Sequence, residues 1–154
     1  MSCTDTTGAG VRVSNGEVIS RVMKPGSVSM FFTLLANLGF DAKTKQVSCP
    51  IKQGGSYYGY GGAMGPSQFI PSTWALYSPK IASALGVTTP NPWNPEHAIM
   101  ATALYVADLG AASSETRAAC SYYGSGGSTC AYGRSVANYA VKLQKNIDFL
   151  TANQ

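Results

Sequence analysis

The stretch YYGYGGAMGPSQFIPSTW, residues 57–74, cannot be written as one regular element. Its five aromatics are interrupted by six glycines and prolines, so neither a period of two nor one of 3.6 survives. Gly59, Gly61 and Gly62 let the backbone approach another group closely or take φ > 0. Pro66 and Pro71 limit where a helix can begin, and Gln68 and Phe69 between them read as a short helical turn. Tyrosines set among glycines offer stacking faces and hydroxyls, which suit carbohydrate or nucleobase ligands. The plainer alternative is a tight β-hairpin feeding a helix, with the tyrosines used for packing.

Downstream of this run the chain reads as helices. Ser72 is an N-cap for a helix through Leu85, closed by Gly86, with Pro79 expected to kink or split it. Asn94-Pro95-Glu96 is a helix start: a capping Asn, proline at the first position, an acid in the first turn. The following segment to Gly110 is apolar nearly all round and is expected to be the central buried helix. Ser113 or Ser114 caps a short helix that breaks at Gly124, and a last helix covers Ser135 to Leu150. Upstream, Val28, Phe31, Phe32, Leu35 and Leu38 recur at three and four residues, giving a helix over Ser27 to Leu38 with Gly39 as its C-cap. Asp41 to Gln53 reads as a loop. VRVSNGEV around Asn15-Gly16 reads as a hairpin or as an arm leading into a short helix at Glu17–Met23. Five or six helices and one hairpin make a mainly α domain, with the hairpin and loops lining one side. The expected division is an N-terminal arm, 1–24, and one domain, 25–154.

With 154 residues, one domain can bury an adequate core. A formal charge of +4 is too small and scattered to indicate nucleic acid, although it favours anionic polymers in general. Cys3, Cys49, Cys120 and Cys130 form no CxxC pair, and His97, the lone histidine, is remote from them, so no metal site is expected. Their even number in a Tyr-, Ser- and Gly-rich chain favours an oxidising compartment. Cys120 and Cys130 flank a Gly/Ser loop and form the local pair, leaving Cys3 with Cys49; the alternative is four buried thiols. No stretch has the ~20 apolar residues of a membrane span. The start lacks a signal-peptide pattern, so the chain is read as a segment of an exported precursor, located in the cell envelope or secreted.

Seven carboxylates offer no spacing for a catalytic pair. Glu96 and Glu115 are accounted for by helix starts; Glu17 has no ready structural reason. His97 falls in a helical first turn, where capping or packing is the ordinary use. The remaining site candidates are polar and aromatic: Gln68, Tyr57, Tyr58, Tyr60, Tyr105, Tyr122, Tyr123 and Tyr132. Tyr105 puts a phenol on an apolar helix and so needs a hydrogen-bond partner.

Over residues 20–145 the motifs GGAMGPSQFIPSTW, NPWNPEHAIMATALYVADLGA, AACSYYGSG and YGRSVANYA follow one another. In this order they resemble a bacterial lytic murein transglycosylase domain of the membrane-bound type B kind. The resemblance implies a lysozyme-like helical fold with a small β-hairpin lining a sugar cleft. It implies non-hydrolytic cleavage of the MurNAc–GlcNAc β-1,4 bond of peptidoglycan, leaving a 1,6-anhydromuramoyl end, with no cofactor and a monomeric enzyme. Carried over, Gln68 hydrogen-bonds the sugar beside the scissile bond, Met64 and Phe69 are groove-wall positions, and Tyr105 reaches the active centre. Tyr122 matches the tyrosine that holds the catalytic acid, and Tyr132 a further cleft tyrosine. Tyr123 stands where the family has asparagine. The family's catalytic Glu-Ser dipeptide does not occur in the chain, whose beginning aligns just after that helix. Glu17 is the remaining candidate acid, and a non-catalytic glycan-binding domain is the alternative function.

Overall fold

Proline opens and glycine closes the first two helices. Pro25 stands at the start of α1 (Pro25–Leu38) and Pro71 at the start of α2 (Pro71–Leu85), where a missing N–H costs no helical bond. Gly39 (φ 67°) and Gly86 (φ 65°) end them in the left-handed region. After α1 the amides of Gly39 and Phe40 bond back to the carbonyls of Ala36 and Leu35 at 3.2 and 2.9 Å, satisfying carbonyls the helix leaves open. The computed structural model describes residues 2–4, 11–12, 18–19, 22–42, 44–125, 127 and 129–153.

α1 and α2 pack together. Phe31 and Leu35 from one meet a core that holds Trp74, Tyr77 and Ile81 from the other, all buried. Each such side chain contributes roughly 1.5–3 kcal/mol. Val28, Phe32 and Leu38, expected on the same face of α1, are half-buried at its flanks. Two details of α2 differ from the sequence reading. Ser72 is not its cap: Ile70 precedes the helix, no side chain caps it, and Pro71 takes the first position. Pro79 does not split it. The carbonyl that Pro79 leaves unpaired belongs to exposed Ala75, where water can serve it.

The strands are short. β1 (Ser2–Thr4) runs antiparallel to β4 (Gln46–Ser48), with Cys3 opposite Val47. β2 (Val11–Arg12) and β3 (Val18–Ile19) pair antiparallel, which favours the hairpin reading over the helix at Glu17–Met23. Asn15, Gly16 and Glu17 lie outside the described residues. β5 (Ile51–Gln53) and β6 (Ser56–Tyr58) form a second hairpin around Gly54 and Gly55, both at positive φ. The expected loop from Asp41 to Gln53 therefore contains two strands; three-residue strands are too short to show a period in sequence.

α3 (Pro95–Asp108) begins as expected. Asn94 Oδ1 accepts from the Glu96 amide at 2.9 Å, and the Asn94 carbonyl accepts from Ala98 at 3.0 Å. It is not buried all round: Ala98 and Ala101 are buried, while Ile99 is 67 % exposed. Small alanines form its inner face, so its apolar composition overstates its burial. α4 (Glu115–Tyr122) starts at Ser114, whose Oγ accepts from Arg117 N at 3.3 Å. α5 (Ala131–Ala152) begins four residues before the expected Ser135, because Cys130 Sγ accepts from Gly133 N at 3.1 Å and serves as its cap.

The described residues are thus mainly helical with small antiparallel hairpins. Disulfides join Cys3 to Cys49 and Cys120 to Cys130, the pairing expected from the sequence. They are compatible with an extracytoplasmic protein. Among the described residues no helix is long and apolar enough to cross a membrane. The chain folds as two compact units, residues 1–101 and 102–154.

Candidate functional site

In the first unit the glycine-rich run lies along β4. Gly61 N donates to Val22 O at 2.6 Å and Gly62 N to Ser48 O at 2.8 Å. Ser48 N donates to Ala63 O, and Ser48 Oγ accepts from Ala63 N at 3.0 Å. A Cβ on Gly61 would run into the Ser48 carbonyl, and one on Gly62 would come 2.5 Å from Met23 Cβ. The close approach signalled by these glycines is therefore to the protein's own backbone. Ser48 and Met23 were not legible as its partners, because they belong to other parts of the chain.

This packing fixes a turn. Met64 N donates to Phe69 O at 2.9 Å, and the two residues form an antiparallel bridge. Both are buried, and Phe69 packs edge-on to Trp74 at 6.0 Å between ring centroids. Met64 and Phe69 thus support the turn from behind. Gly65 (φ 61°) lies so close to Pro92 O that a Cβ there would collide with it. Ser67 Oγ donates to Ala98 O at 3.0 Å, tying the turn to the start of α3. At the tip Gln68 has φ 56°; among the described residues no other non-glycine residue has positive φ. Its backbone and its Nε2 both donate to Gly65 O, at 3.2 and 2.7 Å, while the side chain remains exposed. The expected helical turn at Gln68–Phe69 is replaced by this tight left-handed one.

Tyr58, the last residue of β6, and Tyr60 just after it are exposed. Tyr57 faces Lys52 across the hairpin, with the ammonium 5.1 Å from its ring centroid. His97 has a structural use: its Nδ1 accepts from Asn91 N at 2.8 Å, which holds the loop before α3. A separate apolar cavity of about 350 Å³ lies between α1 and α2, lined in part by Met30, Leu34, Trp74 and Pro79. Among the described residues the buried indole N–H of Trp74 has no acceptor.

In the second unit four tyrosines gather. Tyr105 on α3 and Tyr122 at the end of α4 meet at 5.5 Å between centroids, tilted by 50°. Tyr123 and Tyr132 stack at 4.8 Å and 18°. The Cys120–Cys130 disulfide explains the second pair, since it holds the end of α4 beside the start of α5. Gly133 permits this closeness: a Cβ there would meet Thr116 O and lie 2.5 Å from Cys120 Sγ. Burial raises the Tyr122 pKa above its usual value. A hydrogen bond with the Thr102 side chain acts in the opposite direction, and the neighbouring Tyr132 and Tyr105 raise it further. Thr102 was missed in the sequence, although it lies three residues before Tyr105, on the same side of a helix.

Chemically, the first unit presents an exposed amide on a tight turn and exposed tyrosines at Tyr58 and Tyr60. The second presents clustered phenols, with Tyr123 and Tyr132 accessible. Glu96 and Glu115 sit at helix starts, as expected. The candidate acid Glu17 is outside the described residues. No group of three or more His, Cys, Asp or Glu side chains among the described residues is placed to hold a metal ion. Compared with family models, curated proteins and solved structures, the chain has no significant match.

Proposed function

We propose that this chain is a peptidoglycan-binding domain of lytic murein transglycosylase type, with a lysozyme-like fold, that takes a MurNAc–GlcNAc glycan strand. The observation that carries the reading is the Gln68 turn. A non-glycine residue in left-handed backbone costs on the order of 1 kcal/mol and persists where surrounding contacts enforce it. Here the enforcing contacts are the Met64–Phe69 bridge behind it and the close approach of Gly65 to Pro92, and the result is an outward-facing amide. The amide Oε1 can accept from a sugar hydroxyl or an acetamido N–H. Tyrosine faces suit the apolar faces of pyranose rings, and the positive net charge suits an anionic wall polymer.

In the cleavage this reading implies, one carboxylic acid protonates the glycosidic oxygen as the C1–O bond breaks. The same carboxylate then takes the proton from the muramoyl 6-hydroxyl, whose oxygen closes onto C1 as the 1,6-anhydro bridge. No water is consumed and no second carboxylate is required. Such an acid needs a raised pKa, which an apolar, tyrosine-lined surrounding would supply. The second reading is glycan binding without cleavage, favoured by the absence of any Glu-Ser dipeptide from the 154 residues.

The test uses purified sacculi. Wild-type protein should cosediment with them, and Gln68→Ala should cosediment less. Equal retention of the two would remove Gln68 from the site, and no retention of wild type would refute glycan binding. Anhydromuropeptides released by wild type and lost in Glu17→Gln would support cleavage by Glu17. Product unchanged in that variant would exclude Glu17, and binding without product would support the second reading.

A further inference from the structure

α5 is far longer than the surface that supports it. It meets α4 through its first turns, where Gly133 is buried and Ala137 half-buried. From Asn138 to Asn153 every residue is exposed. An isolated helix of about 15 residues is marginal in water, and Asn138, Tyr139, Val141, Asn146, Ile147, Phe149 and Thr151 are weak helix formers. This stretch nevertheless carries Tyr139, Leu143, Ile147 and Leu150, each more than half exposed. With Val136 they fall within about 80° of the helix circumference, at 100° per residue. Gly133 and Ala137, which face α4, lie to one side of this stripe.

The spacing of the stripe identifies the occupant. Val136, Tyr139, Leu143, Ile147 and Leu150 are separated by 3, 4, 4 and 3 residues, a pattern symmetric about Leu143. A two-fold axis through Leu143 brings the same five residues of an antiparallel second helix into register. Leu143 meets Leu143 of the second copy, Tyr139 meets Ile147, and Val136 meets Leu150. An isologous contact needs this self-complementarity, and an unrelated partner would not. The stripe itself carries no charge; Lys142, Lys145 and Asp148 lie outside it. The five side chains offer roughly 500 Å² per copy, which is the range of a weak, specific contact.

We propose that the outward stripe of α5, from Val136 to Leu150, is a homodimer surface on which a second copy of this chain pairs antiparallel about Leu143. The expected monomer is then the dissociated form of a weak dimer.

Sedimentation velocity of the intact chain over micromolar to submillimolar concentrations should show monomer and dimer exchanging. Leu143→Lys places two ammonium groups together at the axis and should weaken association at least tenfold. Val141→Lys, on the opposite side of α5 and also exposed, should leave it unchanged. Orientation is read by oxidative cross-linking. A mixture of Val136→Cys and Leu150→Cys chains should give the mixed covalent dimer, with little from either alone. A chain that stays monomeric throughout overturns the proposal. So does equal loss from both lysine variants, covalent dimer formed by Val136→Cys alone, or binding to anionic lipid vesicles by a chain that does not self-associate.

Discussion

Replacing Gln68 by glycine should stabilise the chain and, on the proposed glycan-binding reading, weaken glycan binding. At φ 56° a side chain is crowded by its own backbone, which costs on the order of 1 kcal/mol that glycine avoids. Removing the side chain also removes the 2.7 Å bond from Nε2 to Gly65 O. That bond is exposed and worth about 0.5 kcal/mol, at the low end for a hydrogen bond. Gln68→Gly is therefore expected to gain about 0.5 kcal/mol, and Gln68→Ala, which keeps Cβ, to lose about the same. The separation of about 1 kcal/mol between the two variants isolates the backbone conformation, since the hydrogen-bond loss is common to both. In thermal unfolding followed by circular dichroism it corresponds to roughly 2–4 °C. Binding should not follow stability. Both variants lose the same amide, and affinity for chitooligosaccharide should fall about tenfold in each, the worth of about 1.4 kcal/mol. Glycine no more stable than alanine would refute the strained turn. Wild-type affinity in both would refute the role of the amide.

Three further outcomes follow from local packing. Gly133→Ala, ordinarily favourable inside a helix, should cost about 2 kcal/mol, because the new methyl meets Thr116 O and Cys120 Sγ; a higher Tm would contradict the packing of α4 on α5. Burial raises the Tyr122 pKa, so the folded state holds that proton more tightly than the unfolded state. Its stabilising contribution is complete below the unfolded value of about 10 and is lost as pH rises through the higher folded value. Tyr122→Phe should flatten the alkaline fall of stability in denaturant titrations, and an unchanged slope would contradict it. Trp74→Phe removes a buried N–H that has no acceptor among the described residues, so it should cost less than about 2 kcal/mol despite the smaller ring; a loss of 4 kcal/mol or more in urea unfolding would indicate that the N–H is satisfied.

The helices were largely legible because their signals are local. Gly39, Gly86, the Asn94-Pro95-Glu96 start and Ser114, one of the two serines expected as a cap, act within a turn of where they stand, whereas α1 begins at Pro25, two residues before the expected Ser27. At α2 two local signals competed, and Pro71 displaced Ser72 as the start. Elsewhere a distant group intervened. Cys130 caps α5 within a structure closed by its disulfide to Cys120. The strands β4 and β5 were invisible because each is defined by its partner, and three residues carry no pattern of their own.

The candidate site divides along the same line. Residue types in order mark Gln68, Tyr105, Tyr122, Tyr123 and Tyr132 as candidates, and cysteine number and spacing indicate the two disulfides. Sequence alone determined that much, because it depends on composition and on short-range stereochemistry. Tertiary structure decided that Gly61 and Gly62 serve close packing against Ser48 and Met23. It decided that Met64 and Phe69 support the turn from the core, that Gln68 takes left-handed backbone, and that Tyr123 stacks on Tyr132. The physical reason is range. A cap or a turn is settled by atoms a few bonds away, whereas burial, close approach and ring stacking depend on groups that only folding brings together.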